Sequence, residues 1–161
     1  MRERNIGLDD IQTLKDLNKL PILRKNMIRA NVDEVKIINE RCLFASSDKK
    51  RFMGIMQLLK SSGVTHLSTI TAVDNGKSIE LIYHFDCKPA MLNLKVFLPM
   101  DDISIPTITE LFPGAILYER DITEMMGVKV QGHPAPGRLF LPEDWPEGSY
   151  PLRKKKEEKS A

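Results

Sequence analysis

THLSTITAV, SIELIYHF and AMLNLKVFL occupy residues 65–73, 78–85 and 90–98, joined by DNGK at 74–77 and DCKP at 86–89. In the second run Ile79, Leu81, Tyr83 and Phe85 alternate with Glu80 and His84. In the third, Leu92, Leu94, Val96 and Leu98 alternate with Asn93 and Lys95. A period of two belongs to strands with one buried and one wetter face. Asn75-Gly76 is a strong tight-turn pair between adjacent antiparallel strands. Four-residue connections are too short for a parallel crossover, which needs roughly a dozen residues. The stretch therefore predicts an antiparallel meander.

Upstream, residues 48–62 predict a helix. Phe52, Ile55, Met56 and Leu59 mark its buried face, Asp48 can accept the first backbone N–H groups, and Gly63 suits the stop. Residues 32–45 hold two apolar bursts around Asn39-Glu40-Arg41, which fit one hairpin or one interrupted strand. Leu8, Ile11, Leu14 and Leu17 predict a short helix over 8–20, ended by Pro21. Downstream, a short helical piece is expected from Pro106 or Thr107 to Phe112, and a longer helix over 115–126 with Gly127 at its end. Beyond it lie prolines 134, 136, 142, 146 and 151, which rule out regular helix and remove sheet donors. Leu139, Phe140, Leu141, Trp145 and Tyr150 share that stretch, so it reads as an extended arm lying on a surface. The sequence thus predicts an α+β fold: a body over 1–127, an arm over 128–153 and a charged tail over 154–161.

Composition narrows the function. Of 161 residues, 24 are Lys or Arg and 22 Asp or Glu, a formal charge of +2. Residues 152–161 hold five basic and two acidic side chains, a local +3, so the remainder carries −1. A near-neutral body argues against nucleic acid as a partner. No stretch nears the ~20 apolar residues of a membrane span, and no secretory signal is visible at the start. Two cysteines, Cys42 and Cys87, cannot supply the four thiolates of an iron–sulfur cluster. His66, His84 and His133 lack metal-ligand spacing, and no dinucleotide, P-loop or nucleophile-elbow motif is present, so neither metal nor cofactor is expected in this chain.

The stretch that speaks to function is YERDITEMMGVKVQGHPAPGRLFLPEDWPEGSYPLR, residues 118–153. On a helix Arg120 and Glu124 stand four apart, a weak ion pair if exposed. The bland reading is a solvated face. The functional one has Arg120 offer its donor fork to a partner carboxylate, while Glu119, Asp121 and Glu124 accept from partner donors or loop backbone. Gly127 allows a sharp exit, Gly132-His133-Pro134 a further turn, and Trp145 is a large anchor of the interface kind. Asp121, Glu124 and His133 also form the acid/base set that a small independent enzyme would use.

These residues resemble the signature of the thirty-kilodalton subunit of respiratory complex I (the C-type subunit of bacterial NADH dehydrogenase I) and its counterparts in membrane-bound nickel–iron hydrogenases. Glu119, Arg120, Gly127, Val128, Gly132, His133, Pro134, Arg138, Leu139, Asp144, Trp145, Pro151, Leu152, Arg153 and Lys154 match directly. Asp121 and Glu124 exchange one carboxylate for the other, and Met126 replaces Phe. The LPEDWPEGSYPLRK spelling is similar to the hydrogenase-type members. The resemblance implies a scaffold subunit without a redox centre, docked through Glu119, Arg120, Asp121, Glu124, Gly127, Gly132, His133, Pro134, Arg138, Asp144, Trp145 and Arg153. It implies a large catalytic subunit, a small iron–sulfur subunit and a membrane module as partners. Iron–sulfur clusters and a nickel–iron centre would lie in those partners, on the cytoplasmic side of the cell membrane.

Overall fold

The computed structural model describes residues 4–6, 32, 34–39, 42–87 and 90–154. The helix predicted over 8–20 and the tail after Lys154 lie outside them. Among the described residues six strands form one sheet: β1 (Arg4–Ile6), β2 (Glu34–Asn39), β3 (Cys42–Ser47), β4 (His66–Asp74), β5 (Ser78–Asp86) and β6 (Met91–Pro99), in the order β1-β2-β3-β6-β5-β4. The meander is present as β4-β5-β6, each pair antiparallel, with Tyr83 opposite Ile70 on one side and Leu94 on the other. The two apolar bursts are a hairpin, β2 against β3, with an irregularity between Ile37 and Asn39. One pairing was not expected. β3 joins β6 in parallel, Cys42 opposite Met91 through Ser47 opposite Val96. The chain between them passes through a helix and two strands, which gives it the length a parallel connection requires.

That helix, α1 (Phe52–Ser61), follows a 3-10 turn at Lys49–Arg51, where the Asp48 carboxylate accepts from the Arg51 N–H at 2.9 Å. Its Phe52, Ile55, Met56 and Leu59 are buried, as their spacing predicts. They meet the inward side chains Ile79, Leu81, Tyr83 and Phe85 of β5 and Leu92, Leu94, Val96 and Leu98 of β6. Phe52 and Tyr83 stack with ring centroids 5.0 Å apart, and Phe85 meets Phe112 at the same distance. Truncating one of these side chains to Ala removes both burial and packing, a loss of about 2–5 kcal/mol.

The expected helix from Pro106 to Phe112 is absent. In its place stand the strand β7 (Ser104–Pro106) and a single turn in which the N–H groups of Leu111 and Phe112 both donate to Ile108 O, at 3.0 and 2.8 Å. Pro113 offers no N–H, so the turn goes no further. The second helix, α2 (Ala115–Met126), has the predicted bounds. It packs along β4 with Ala115, Ile122 and Met126 in the same core. Beyond it β8 (Lys129–Gln131) pairs with β7 in parallel.

Candidate functional site

Helix α2 ends because Gly127 adopts φ +71°, a left-handed cap that an L side chain enters at a cost of about 1–2 kcal/mol. The position is closed to a side chain for a second reason. A Cβ there would stand 2.5 Å from Cε2 of the Tyr150 ring, which folds back from the far end of the arm. The arm thus leaves α2 and returns to it.

The start of the arm is held by a buried carboxylate. Glu119 is only 1 % exposed. It accepts from the Thr107 hydroxyl at 2.6 Å and from the Ile108 N–H at 2.8 Å, which fastens the β7 turn to α2. Burial pushes its carboxyl upward, against the Thr107 and Ile108 hydrogen bonds and the nearby His133. The His133 Nε2 lies 3.0 Å from Ile116 O and 3.8 Å from Glu119 Oε2, while its Nδ1 accepts from the Ala135 N–H at 3.1 Å. With Nδ1 accepting, Nε2 is the ring nitrogen that donates to Ile116 O. Behind Glu119 the Tyr83 hydroxyl is buried without a hydrogen-bond partner among the described residues. Burial, with the Glu119 charge second, drives its pKa upward.

From Arg120, the next residue of α2, onward the middle of the arm is laced down. Arg120 donates from Nε to Gly137 O at 3.2 Å and from a terminal nitrogen to Arg138 O. Glu124, 7 % exposed, takes three consecutive amides: Leu139 N–H on one oxygen, Phe140 N–H at 2.8 Å and Leu141 N–H at 3.1 Å on the other. Arg138 then ties the next turn, donating to Pro142 O, to Glu143 O at 2.9 Å and to Trp145 O at 2.6 Å. Trp145 donates its indole N–H to Ser149 O at 3.0 Å. Glu124, Arg138, Leu141, Trp145 and Tyr150 line an open cleft of about 330 Å³ at this loop.

The arm closes on the body. Leu152 N–H donates to Met125 O at 3.1 Å, and Arg153 reaches Met126 O at 3.2 Å and the Asp74 carboxylate at 3.0 Å. Asp74, at the β4–β5 turn, also accepts from Gly76 N–H at 2.8 Å and Lys154 N–H at 3.1 Å. Burial alone would raise its pKa. The two amides and the Arg153 guanidinium outweigh that and hold it below the usual carboxylate value.

The expected site residues therefore sort by what they touch. Arg120 and Glu124 engage the arm's backbone and not each other. Glu119, His133, Arg138 and Arg153 likewise have partners within the chain. Gly132, Pro134 and Asp144 stand exposed along the arm, and Asp121 is half-buried with its carboxyl raised, by burial first and Glu124 second. The acid/base set Asp121, Glu124 and His133 is not assembled: His133 faces Glu119 and Ile116, while Glu124 faces the amides of 139–141. His66 lies opposite Asp86, and His84 bonds Thr71 at 3.0 Å and Asn93 at 2.6 Å, so the two strand histidines do not meet. Among the described residues no group of three or more His, Cys, Asp or Glu is placed to hold a metal. Cys42 and Cys87 are free thiols. Burial, and next to it Asp86, push Cys87 up to about 12, against the Leu92 amide. Asp74 and Thr107 were not picked out from the sequence. Asp74 read as a turn residue, and nothing in its surroundings signals a contact eighty positions away.

The same fold also occurs in a respiratory assembly. The chain superimposes with a TM-score of 0.73 and 28% identity on a chain of the membrane-bound sulfane sulfur reductase, an archaeal respiratory membrane complex, covering 82% of this chain and 81% of that one. A trypsin-resistant fragment of Nqo5 shares the fold, with a TM-score of 0.54 and 23% identity over 58% of this chain and 82% of the fragment. Residues 45–160 match the family of the respiratory-chain NADH dehydrogenase 30 Kd subunit, and the chain belongs to it. The J-type subunit of the NAD(P)H-quinone oxidoreductase of Prochlorococcus marinus is 36% identical over 111 residues, 62% of this chain and 63% of the relative. The C-type subunit of the NADH-quinone oxidoreductase of Moorella thermoacetica is 35% identical over 102 residues, 61% of this chain and 68% of the relative. A C/D subunit from Erwinia tasmaniensis is 40% identical over 92 residues, 56% of this chain and 14% of that longer one. The chain spans just under two thirds of the Prochlorococcus relative's length.

Proposed function

We propose that this chain is a scaffold and assembly subunit of the hydrophilic arm of a membrane-bound, complex I-like oxidoreductase, of the ferredoxin-linked, energy-converting kind to which nickel–iron hydrogenases belong. It braces a large catalytic subunit so that electron transfer stays coupled to ion translocation. It brings no redox centre; iron–sulfur clusters and a nickel–iron centre would lie in the large subunit, the small iron–sulfur subunit and their neighbours. The chain would sit peripherally on the cytoplasmic side, against the membrane module. No helix among the described residues is long and apolar enough to cross a membrane.

The observation that carries this reading is the arm. A buried carboxylate and two guanidiniums fix a loop that keeps Phe140 64% exposed. Holding an irregular segment rigid while it displays an aromatic ring favours docking, because the ordering cost of the interface is met before the partner arrives. The C/D relative supports the choice of partner, since its name joins a C-type and a D-type subunit in one chain. The likeness to a chain of the membrane-bound sulfane sulfur reductase, over 82% of this chain, supports a place in a membrane-bound respiratory complex. The second reading, the C-type subunit of an NADH/quinone-type dehydrogenase, is favoured by the names of the curated relatives.

Isolation of the native membrane complex through a tag on this chain, followed by mass spectrometry, tests both. A large subunit with metal-binding cysteine motifs supports the hydrogenase assignment; one without them supports a sulfur- or quinone-reducing complex. Recovery of the chain without any large oxidoreductase subunit refutes the scaffold role.

A further inference from the structure

We infer that residues 139–149 form an acidic, aromatic plug that docks into an apolar socket rimmed by Lys and Arg on another subunit of the same complex; this rests on the scaffold reading above. The run LFLPEDWPEGS contains Glu143, Asp144 and Glu147 and no Lys, Arg or His, a charge of −3 in eleven residues. All three carboxylates are exposed, and none is ion-paired among the described residues. Of the two cations beside the run among the described residues, Arg138 turns its guanidinium to the carbonyls of Pro142, Glu143 and Trp145, and Arg120 turns its own to those of Gly137 and Arg138. The loop thus satisfies its own backbone and leaves its carboxylates uncompensated.

Amid this charge Phe140 is 64% exposed, although its own N–H is held at 2.8 Å by buried Glu124. Its neighbour Leu139 is half-buried, and prolines 142 and 146 restrict the backbone around it. A ring presented on a fixed backbone loses little conformational freedom on binding, which is the property of an interface anchor. The surrounding charge selects the partner. Carboxylates repel lipid phosphates and nucleic acid, whereas a basic protein surface gains from them in orientation and in rate of encounter.

The test uses the full-length tagged chain in its native complex, washed at rising ionic strength. Phe140→Ala, the triple variant Glu143→Gln/Asp144→Asn/Glu147→Gln and wild type are compared for the amount of large subunit retained. We expect wild type to be lost progressively with salt. Phe140→Ala should retain on the order of tenfold less at every salt concentration. The triple variant should retain less at low salt and show a flatter salt response. In the free full-length chain, hydrogen exchange at the amides of 139–141 should match wild type in both variants, which separates docking from loss of the loop. Wild type retained and both variants retained equally overturns the inference while leaving the scaffold reading intact. Wild type that never enters a complex overturns both. A chain ending at Lys154 that loses the salt dependence assigns the carboxylates to the chain's own basic tail and also overturns the inference.

Discussion

Replacing Glu124 with Gln isolates the force that holds the arm. The carboxylate is 7% exposed and accepts three amides, with the Phe140 and Leu141 N–H groups sharing one oxygen and Leu139 on the other. Gln has nearly the same shape, but keeps a single acceptor oxygen and places an NH₂ where an acceptor stood. At least one amide is left facing a donor. An unsatisfied buried N–H costs about 1–3 kcal/mol, and the loss of charge assistance on the remaining bonds adds about 1 kcal/mol. The expected loss is therefore about 2–4 kcal/mol of local stability, which raises the opening constant of the loop on the order of 30- to 1,000-fold. Native-state hydrogen exchange reads this directly. The amides of 139–141 should exchange faster by that factor, while those of Leu81 and Tyr83 in β5 stay within a few-fold of wild type. Protection at 139–141 within threefold of wild type would show that the loop is held by something other than this carboxylate.

Three further outcomes follow from the same geometry. Gly127→Ala should destabilise by about 1–2 kcal/mol from the left-handed backbone alone. It loses more because the Tyr150 ring must move away, so in urea unfolding the double variant with Tyr150→Ala should cost clearly less than the sum of the two singles. Asp74, held below its ordinary pKa, contributes stability above the unfolded value of about 3.9 and loses it as pH falls through the folded value. Acid titration followed through Trp145, the single tryptophan, should therefore show the arm releasing in that range, and Asp74→Asn should abolish this limb. Glu119 has the opposite sign. Its carboxyl is raised by burial, so its contribution is fully present below about pH 4.3 and is lost as pH rises through the folded value. Glu119→Gln should flatten the dependence of the urea midpoint on pH above 4, and an unchanged slope would remove Glu119 as its source.

Local pattern made the body legible. Alternation in β5 and β6, the Asn75-Gly76 turn, the buried stripe of α1 and the Gly127 stop each depend on neighbours within a few positions. The parallel seam between β3 and β6 does not, because nothing in Cys42–Ser47 marks which distant strand it will join. The turn after β7 misled for a related reason. Ile108 has the surroundings of a helix start, but its N–H is taken by Glu119 eleven residues away and Pro113 ends the turn. The charged residues of the arm were visible as a group, and their targets were not. A guanidinium reads alike whether it meets a partner's carboxylate or, as with Arg120 and Arg138, the carbonyls of its own loop.

The Asp74 contact carries a consequence for biosynthesis. The β4–β5 turn emerges from the ribosome roughly eighty residues before the Arg153 and Lys154 groups that neutralise and bond its carboxylate. Until then, among the described residues, that carboxylate has the Gly76 amide of its own turn and neither of these partners. A chain that stops short of residue 153 leaves a charge at the hairpin tip without its counter-ion. This contact, made by the last of the described residues, thus ties the sheet to the length of the chain: a product truncated before it lacks the end of its arm and is also weakened at the β4–β5 turn.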